Sequence, residues 1–184
     1  GGDSLIGIVH RIASSMHDRY KIIGGCFNPN PRENIDFAES LGLDLSRIYE
    51  YIDAMMEGER KLPEEERIEA VSVLTPNFLH YPMAKQLLEN GFHVICEKPL
   101  TTTYAEAEEL VALQAKMQTV FAVTYTYTGY PMIRHMKQLI EKRDIGKVQK
   151  VDLQYYQRWI NPIIHDTEAR QNTYRLQPNK SGLR

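Results

Sequence analysis

Short apolar runs alternate with segments whose apolar residues recur every three or four positions through the first two thirds of the chain. The apolar runs predict strands over residues 20–27, 47–49, 70–75, 94–96 and 120–125. The recurring pattern predicts helices over residues 8–16, 32–41, 51–60, 78–90 and 104–117. Near-continuous apolar strands separated by helices are typical of a parallel sheet that is covered on both faces. The sequence therefore predicts an α/β fold with a doubly wound parallel sheet.

The pattern changes after Tyr125. A crossing segment leads into a predicted helix over residues 132–142. Residues 148–159 alternate apolar with polar side chains, which predicts a long, half-exposed strand of an antiparallel sheet, and the remainder is polar and irregular. We therefore predict a dinucleotide-binding domain over residues 1–125 that lacks its first strand, and the beginning of a second α/β domain over residues 126–184.

Composition and charge argue against two classes of protein, those that bind nucleic acids and those that span membranes. The chain is 42% hydrophobic and 25% charged, as in an ordinary globular protein. Its net charge of −2 and dispersed basic residues argue against a nucleic-acid-binding face, and no apolar run approaches the roughly 20 residues that span a bilayer. Cys26 and Cys96 lie in apolar runs, which predicts two buried, unpaired thiols in a reducing compartment, the cytoplasm.

A glycine-bearing turn stands in front of the first predicted helix. Gly2 and Gly7 are part of it, and Ser4 adds a hydroxyl between them. Glycines at such a turn let the main chain approach a pyrophosphate, which binds the free N–H groups of the helix N-terminus. The strand that should precede the turn is absent, and a glycine pair at a chain start is also typical of a residual cloning sequence. The turn alone leaves both interpretations open.

The second strand of a dinucleotide fold usually ends in a carboxylate that binds the adenosine ribose. Here the predicted strand ends near Asn28 instead, and Arg32 follows. An asparagine can hydrogen-bond to ribose hydroxyls, and an arginine can accept a 2′-phosphate, so the choice between NAD and NADP stays open. A capped loop that binds nothing is the alternative.

Polar residues also follow the strand predicted over residues 70–75. Thr75 and Asn77 bracket a proline, and His80 lies one helical turn further on. Their hydroxyl and amide groups suit contacts with a ribose or a carboxamide. Asn77 is explained equally well as a helix cap, and a lone histidine is more often packed or exposed than catalytic.

The next strand delivers Glu97 and Lys98 to a proline, Pro99, that prevents the strand from continuing. A lysine beside a cofactor can hydrogen-bond to a substrate oxygen, and Glu97 can hold a ribose hydroxyl or fix the lysine. Tyr125 begins a tyrosine-rich segment at the following strand end, where ligands bind in open α/β sheets. A solvated ion pair and simple aromatic packing are the alternatives.

The T-P-N step at residues 75–77, the E-K-P-L run at residues 97–100 and the segment 124–131 resemble motifs of the Gfo/Idh/MocA oxidoreductase family. Its members include glucose–fructose oxidoreductase and inositol 2-dehydrogenase. The resemblance implies a Rossmann domain followed by an α/β domain whose open antiparallel sheet forms the substrate site and often the oligomer interface. Lys98 matches the family's catalytic lysine, which hydrogen-bonds the substrate oxygen. The implied cofactor contacts are Gly2, Ser4, Ile6, Asn28, Arg32, Thr75, Asn77, His80, Glu97 and Tyr125.

The Asp and His that usually complete the family's site would lie after residue 184, and His165 and Asp166 come in the wrong place and order to replace them. We therefore expect a piece of a longer NAD(P)-dependent oxidoreductase. The reaction implied is hydride transfer between the nicotinamide of NAD or NADP and a secondary alcohol carbon of a sugar, inositol or related polyol. A dinucleotide-binding sensor that catalyses nothing is the alternative.

The partners implied are a small-molecule substrate and a second copy of the chain, paired through the C-terminal sheet. No metal, nucleic acid or membrane partner is expected.

Overall fold

The computed structural model describes residues 4–182. Within them, three short parallel strands form one sheet: Ala70–Val73 (β1), His93–Cys96 (β2) and Phe121–Val123 (β3). The central strand is β2, whose Val94 pairs with Val71 of β1 on one side and with Phe121 of β3 on the other. Because the three strands run in the same direction, their carboxyl ends share one edge of the sheet.

In chain order, the α-helices of residues 4–182 are Leu5–Ser15 (α1), Pro31–Ser40 (α2), Ile52–Arg60 (α3), His80–Glu89 (α4), Tyr104–Gln114 (α5), Pro131–Glu141 (α6), Asn161–Ile164 (α7), Thr167–Asn172 (α8) and Pro178–Ser181 (α9). The connection from β1 to β2 contains α4, and the one from β2 to β3 contains α5, as parallel strands require. The six helices predicted from the sequence are confirmed to within a few residues. None of the helices in this part of the chain has the length and apolar character needed to cross a membrane.

Local capping signals fix where two of these helices begin. The side-chain oxygen of Asn30 accepts hydrogen bonds from the main-chain N–H groups of Arg32 and Glu33 at the start of α2. Thr103 forms a reciprocal capping box with Glu106 at the start of α5. Each cap stabilises its helix by about 1 kcal/mol. The helix starts are therefore set by residues next to them in the sequence.

The core is most enclosed where α4, β2 and α5 meet. Leu87 and Leu88 of α4, Val94 and Cys96 of β2, and Leu110 of α5 are all fully or almost fully buried. Burying one such aliphatic side chain stabilises the fold by about 1.5–3 kcal/mol. This packing fixes the two crossover helices against the sheet, and it confirms that Cys96 is buried.

A buried ion pair between Arg47 and Glu59 connects α3 with the segment before it and with the residues that lead into β1. The Glu59 carboxylate accepts two hydrogen bonds from the Arg47 guanidinium, at 2.9 and 2.6 Å. It also accepts one from the Tyr49 hydroxyl at 2.7 Å and one from the Ile68 main-chain N–H at 2.7 Å. Burial alone would raise the pKa of Glu59, but these hydrogen bonds lower it below its usual range. Burial and the neighbouring carboxylate raise the pKa of Tyr49 to about 12.

The strands predicted over residues 20–27 and 47–49 are wrong in extent. Only Gly25 and Ile48 form an isolated parallel bridge, supported by two main-chain hydrogen bonds of 3.0 Å. A strand needs main-chain partners along its whole length, and within residues 4–182 these segments find partners only at this point. The predicted burial of Cys26, in the same segment, is also wrong, because its side chain is exposed.

The antiparallel strand predicted over residues 148–159 is wrong as well. Residues 148–157 form no strand, and their Leu153 and Tyr156 side chains are exposed. No strand among the described residues pairs with this segment, and alternation without a partner does not make a sheet. The irregular tail predicted after it contains the short helices α7, α8 and α9 instead. The domain boundary after residue 125 stays a prediction.

Candidate functional site

The shared carboxyl edge of the strands brings polar residues from distant parts of the chain together. Thr75, Glu97 and Thr124 each follow a strand by one or two residues. The Thr124 hydroxyl donates a hydrogen bond to Glu97 Oε1 at 2.6 Å, and the Glu97 N–H donates to the Val73 carbonyl at 3.0 Å. Ligands of open α/β sheets bind outside this edge. The edge is therefore the candidate functional site.

Glu97 is held by three hydrogen-bond partners. Its Oε1 lies 3.0 Å from His10 Nε2 of α1, in addition to the Thr124 hydroxyl, and its Oε2 accepts from the main-chain N–H of Lys98 at 3.1 Å. Burial alone would raise the pKa of Glu97, but the hydrogen bonds to its carboxylate lower it below its usual range. The ionised carboxylate thus connects α1 to the ends of β2 and β3 in a fixed orientation.

Lys98 combines a held main chain with an exposed side chain. Its N–H is bound by Glu97, and the carbonyl of the next residue, Pro99, is bound by His80. No ion pair within residues 4–182 involves the Lys98 ammonium group. Three N–H donors on a flexible stem can therefore bind an oxygen atom that arrives at this edge.

His80 is 1% exposed and lies between the chain segments that follow β1 and β2. Its Nδ1 is 2.7 Å from the Pro99 carbonyl oxygen, and its Nε2 is 2.9 Å from the Thr75 carbonyl oxygen. Both ring nitrogens are thus occupied by main-chain groups, and no polar ring atom is left for a cofactor. The predicted contact between His80 and a cofactor finds no support in this geometry.

Asn77 faces the end of the described chain. Its side-chain amide donates a hydrogen bond to the Ser181 carbonyl of α9 at 3.0 Å, across 104 residues of sequence. Gly182 lies so close to the main chain of Thr102 that a Cβ on it would come within 2.8 Å. The segment around α9 therefore returns to the candidate site. The remaining oxygen of Asn77 can still accept a hydrogen bond from a ligand.

Two observations fit a dinucleotide at this edge. The buried hydroxyl oxygen of Thr75 has no hydrogen-bond partner within residues 4–182, and a buried polar atom rarely lacks one unless a ligand or water completes it. Ser4 caps the N-terminus of the 11-residue helix α1, and its hydroxyl oxygen accepts a hydrogen bond from the Gly7 N–H at 3.0 Å. The Ser4 hydroxyl hydrogen and the first N–H groups, including that of Ile6, can bind phosphate. Gly2 lies outside the described residues.

The loop at Asn28 contains a carboxylate that the sequence did not reveal as part of the site. The Asn28 amide donates to Glu33 Oε2 at 2.8 Å, while its oxygen accepts from the Asn30 N–H at 2.9 Å. Arg32 is almost fully exposed, with Asp36 3.9 Å away. Asn28 thus hydrogen-bonds within its own loop, and Glu33 places a carboxylate beside it.

The tyrosine-rich segment extends the edge beyond β3. The Tyr125 side chain is half-exposed, and its hydroxyl lies 3.4 Å from the Leu100 N–H. The hydroxyls of Tyr127 and Tyr155 are 2.7 Å apart. Hydrogen bonds from Tyr127 and Gln157 lower the pKa of Tyr155, and the positive charge of Lys98 adds to this. The charge of the Lys98 ammonium group therefore acts on this tyrosine pair.

Residues 2–125 match the family model GFO_IDH_MocA, described as an oxidoreductase family with an NAD-binding Rossmann fold. The match covers about two thirds of the chain. The chain belongs to the Gfo/Idh/MocA family. Its parallel sheet and the glycine-bearing start of α1 are accordingly those of an NAD-binding Rossmann domain, although only three strands of that sheet form within residues 4–182.

Relatives of this Gfo/Idh/MocA chain include the Bacillus subtilis oxidoreductase YfiI, which is 39% identical over 83% of the chain and 38% of its own length. An inositol dehydrogenase homologue from Azotobacter vinelandii, solved with NAD⁺, is 32% identical with a TM-score of 0.86, over 98% of this chain and 46% of that one. Its structure with NADH and myo-inositol gives 35% identity and a TM-score of 0.73, over 79% and 38% of the two chains. The chain thus spans less than half the length of these relatives.

The sequence patterns did not indicate His10, Thr124 and Tyr155 as parts of this edge, or Glu33 as a partner of Asn28. His10 lies three residues after Gly7, in the middle of α1, and this nearness to the glycine-bearing turn could have indicated a position close to the site. Its partner Glu97 is 87 residues away, and no local pattern connects the two. Tyr155 lies in the predicted strand that does not form. Its contact with Tyr127, 28 residues away, is therefore visible only in the structure.

Proposed function

We propose that the protein containing this chain is an NAD-dependent oxidoreductase that acts on a secondary alcohol carbon of a sugar, inositol or related polyol. The observation that supports the proposal most is Lys98, exposed and held on both sides of its main chain, at the carboxyl edge of the sheet in a domain of an NAD-binding Rossmann family. NAD, when bound, supplies the carbon that exchanges a hydride with the substrate.

The residues at the edge take the following roles in the proposal. The start of α1 binds the cofactor phosphates, the loop after residue 27 lies near the adenosine ribose, and Glu97 accepts a hydrogen bond from the nicotinamide ribose. Tyr125 lies beside the nicotinamide or the substrate. The residues assigned to the cofactor are Gly2, Ser4, Ile6, Asn28, Arg32, Thr75, Asn77, Glu97 and Tyr125.

Lys98 is the catalytic residue in this proposal. Its ammonium group donates a hydrogen bond to the carbinol oxygen of the substrate. Negative charge develops on that oxygen as the neighbouring carbon loses its hydride, and a positive charge held beside it lowers the barrier. Because the Lys98 main chain is fixed through Glu97 and Pro99, the ammonium group approaches the oxygen from a defined point.

The substrate class is supported by the A. vinelandii inositol dehydrogenase homologue, which has been solved with NADH and myo-inositol. To test the class, the full-length protein is incubated with NAD⁺ or NADP⁺ and a panel of inositols, sugars and linear polyols, and NADH or NADPH formation is measured. We expect NADH formation with at least one cyclic polyol or sugar. Tight NADH binding without turnover on any member of the panel would favour a dinucleotide sensor instead.

The His10–Glu97 contact makes a separate prediction about cofactor affinity. Replacing His10 by alanine removes one hydrogen bond to a carboxylate that orients the cofactor ribose, so we expect NADH to bind about tenfold more weakly. Replacing His135, an exposed histidine of α6, by alanine is the matched control and should change nothing. Fluorescence titration with NADH measures both variants, and equal affinities would show that His10 does not contribute to NADH binding.

The lowered pKa of Glu97 gives this affinity a pH dependence. Because the ionised form of Glu97 is stabilised in the folded protein, its contribution to NADH binding is complete above the usual pKa range of a glutamate. That contribution is lost as the pH falls through the lowered pKa of Glu97. We expect NADH affinity to fall on the acid side of that range. A Glu97→Gln variant, titrated over the same acid range, should lack this step, and an unchanged step in the variant would assign it to another group.

A further inference from the structure

His80 links two strand ends through its ring. The residue is the first of α4, and its ring reaches the main chain after β1 at Thr75 and the main chain after β2 at Pro99. The second of these contacts is on the residue that directly follows Lys98. The ring is therefore a direct connection between the two loops of the candidate site.

The chemistry of the contacts makes this connection specific for histidine. A carbonyl oxygen only accepts hydrogen bonds, and a neutral imidazole carries a hydrogen on one ring nitrogen, so either tautomer of the ring donates to one of the two carbonyls while packing against the other. The ring is 1% exposed, and water cannot easily replace it. Removing the ring would remove both a hydrogen-bond donor and the packing between the Thr75 and Pro99 main chains, so the two loops would be free to shift.

We propose that His80 is a positioning residue that sets where the Lys98 ammonium group meets the substrate oxygen. The inference rests on the proposed function, because it concerns the lysine assigned to catalysis there. Glu97 holds the main chain on the amino side of Lys98 and His80 holds it on the carboxyl side, so both ends of this short segment are anchored. His80 itself touches neither cofactor nor substrate.

Positioning of this kind affects turnover more than binding. A catalytic group displaced by about 1 Å can lower the rate of a reaction on the order of 10²-fold. The cofactor, by contrast, is bound by many groups along its length, including those at the start of α1. Loss of His80 should therefore lower kcat strongly while changing the Kd for NADH only slightly.

The test compares three variants of the full-length enzyme. His80→Ala leaves a cavity that free imidazole can enter, His80→Leu fills most of that space without donors, and His135→Ala alters an exposed histidine of α6 as the control. We expect kcat to fall about 100-fold in both His80 variants, with the Kd for NADH within about threefold of the parent. Added imidazole should restore turnover to His80→Ala but not to His80→Leu.

Two results would overturn the proposal. The first is a kcat close to that of the parent in both His80 variants. The second is a parallel loss of kcat and NADH binding that imidazole does not restore, which would give His80 a role in folding alone.

Failure of the proposed function gives different results. Either the parent enzyme turns over no substrate of the panel, or Lys98→Met turns over as fast as the parent. In that case a crystal structure of His80→Leu still decides the positioning. Lys98 displaced by about 1 Å or more supports it, and an unmoved Lys98 contradicts it.

Discussion

Replacing Lys98 by methionine should lower kcat by about 10²–10⁴-fold, because the variant keeps the length of the side chain and removes the charge that stabilises the substrate oxygen. The Kd for NADH should stay within about threefold of the parent value, since Lys98 is assigned to the substrate rather than to the cofactor. Steady-state kinetics with the best substrate of the polyol panel and an NADH titration give the two values.

The control for this experiment is Lys142→Met, which removes an exposed lysine at the end of α6. It should leave both kcat and NADH affinity unchanged. If Lys98→Met kept most of the parent turnover, the catalytic assignment of Lys98 would be wrong, and the exposed ammonium group at the sheet edge would need another explanation.

Replacing Glu59 by alanine should lower the free energy of unfolding by about 3–5 kcal/mol, because breaking a buried ion pair from one side leaves a buried charge uncompensated. Arg47 would lose both of its hydrogen bonds to the carboxylate, and the Ile68 N–H would lose its acceptor. Urea unfolding of the full-length protein, followed by circular dichroism, measures the change.

The same change at Glu57 serves as the control. Glu57 is two residues away on α3 and forms an exposed ion pair with Lys61 at 2.8 Å. Exposed pairs of this kind contribute little to stability, so Glu57→Ala should unfold at nearly the parent urea concentration. Equal destabilisation by the two changes would show that the Arg47–Glu59 cluster is not what stabilises this part of the fold.

The helices and the ligand edge could be predicted from the sequence because their signals are local. Asn30 and Thr103 cap the helices that follow them, and both caps are present in the structure. Pro99 follows a short apolar run by only three residues, so the end of β2 could be predicted without knowing which strands lie beside it. Since parallel strands end at one edge, these local signals were enough to bring Glu97 and Lys98 to the candidate site.

The rest depends on which distant segments meet. The alternation over residues 148–159 indicated a strand, but a strand forms only beside a partner, and the described residues provide none. Residues 20–27 are apolar enough for a strand and reach a partner only at Gly25. Likewise, nothing near His80 in the sequence shows that its ring binds the carbonyl of Pro99. In each case the deciding contact joins residues far apart in the chain.

We propose that this edge of the sheet transfers a hydride between NAD and a carbinol carbon under the control of Lys98. The most direct measurement gives the full-length enzyme NAD⁺ and polyols of the panel, beginning with myo-inositol, that carry deuterium on their carbinol carbons, and analyses the reduced cofactor by mass spectrometry. We predict deuterated NADH from the parent enzyme and none above background from Lys98→Met in the same time. Unlabelled NADH, or label transfer by Lys98→Met at the parent rate, would contradict the claim.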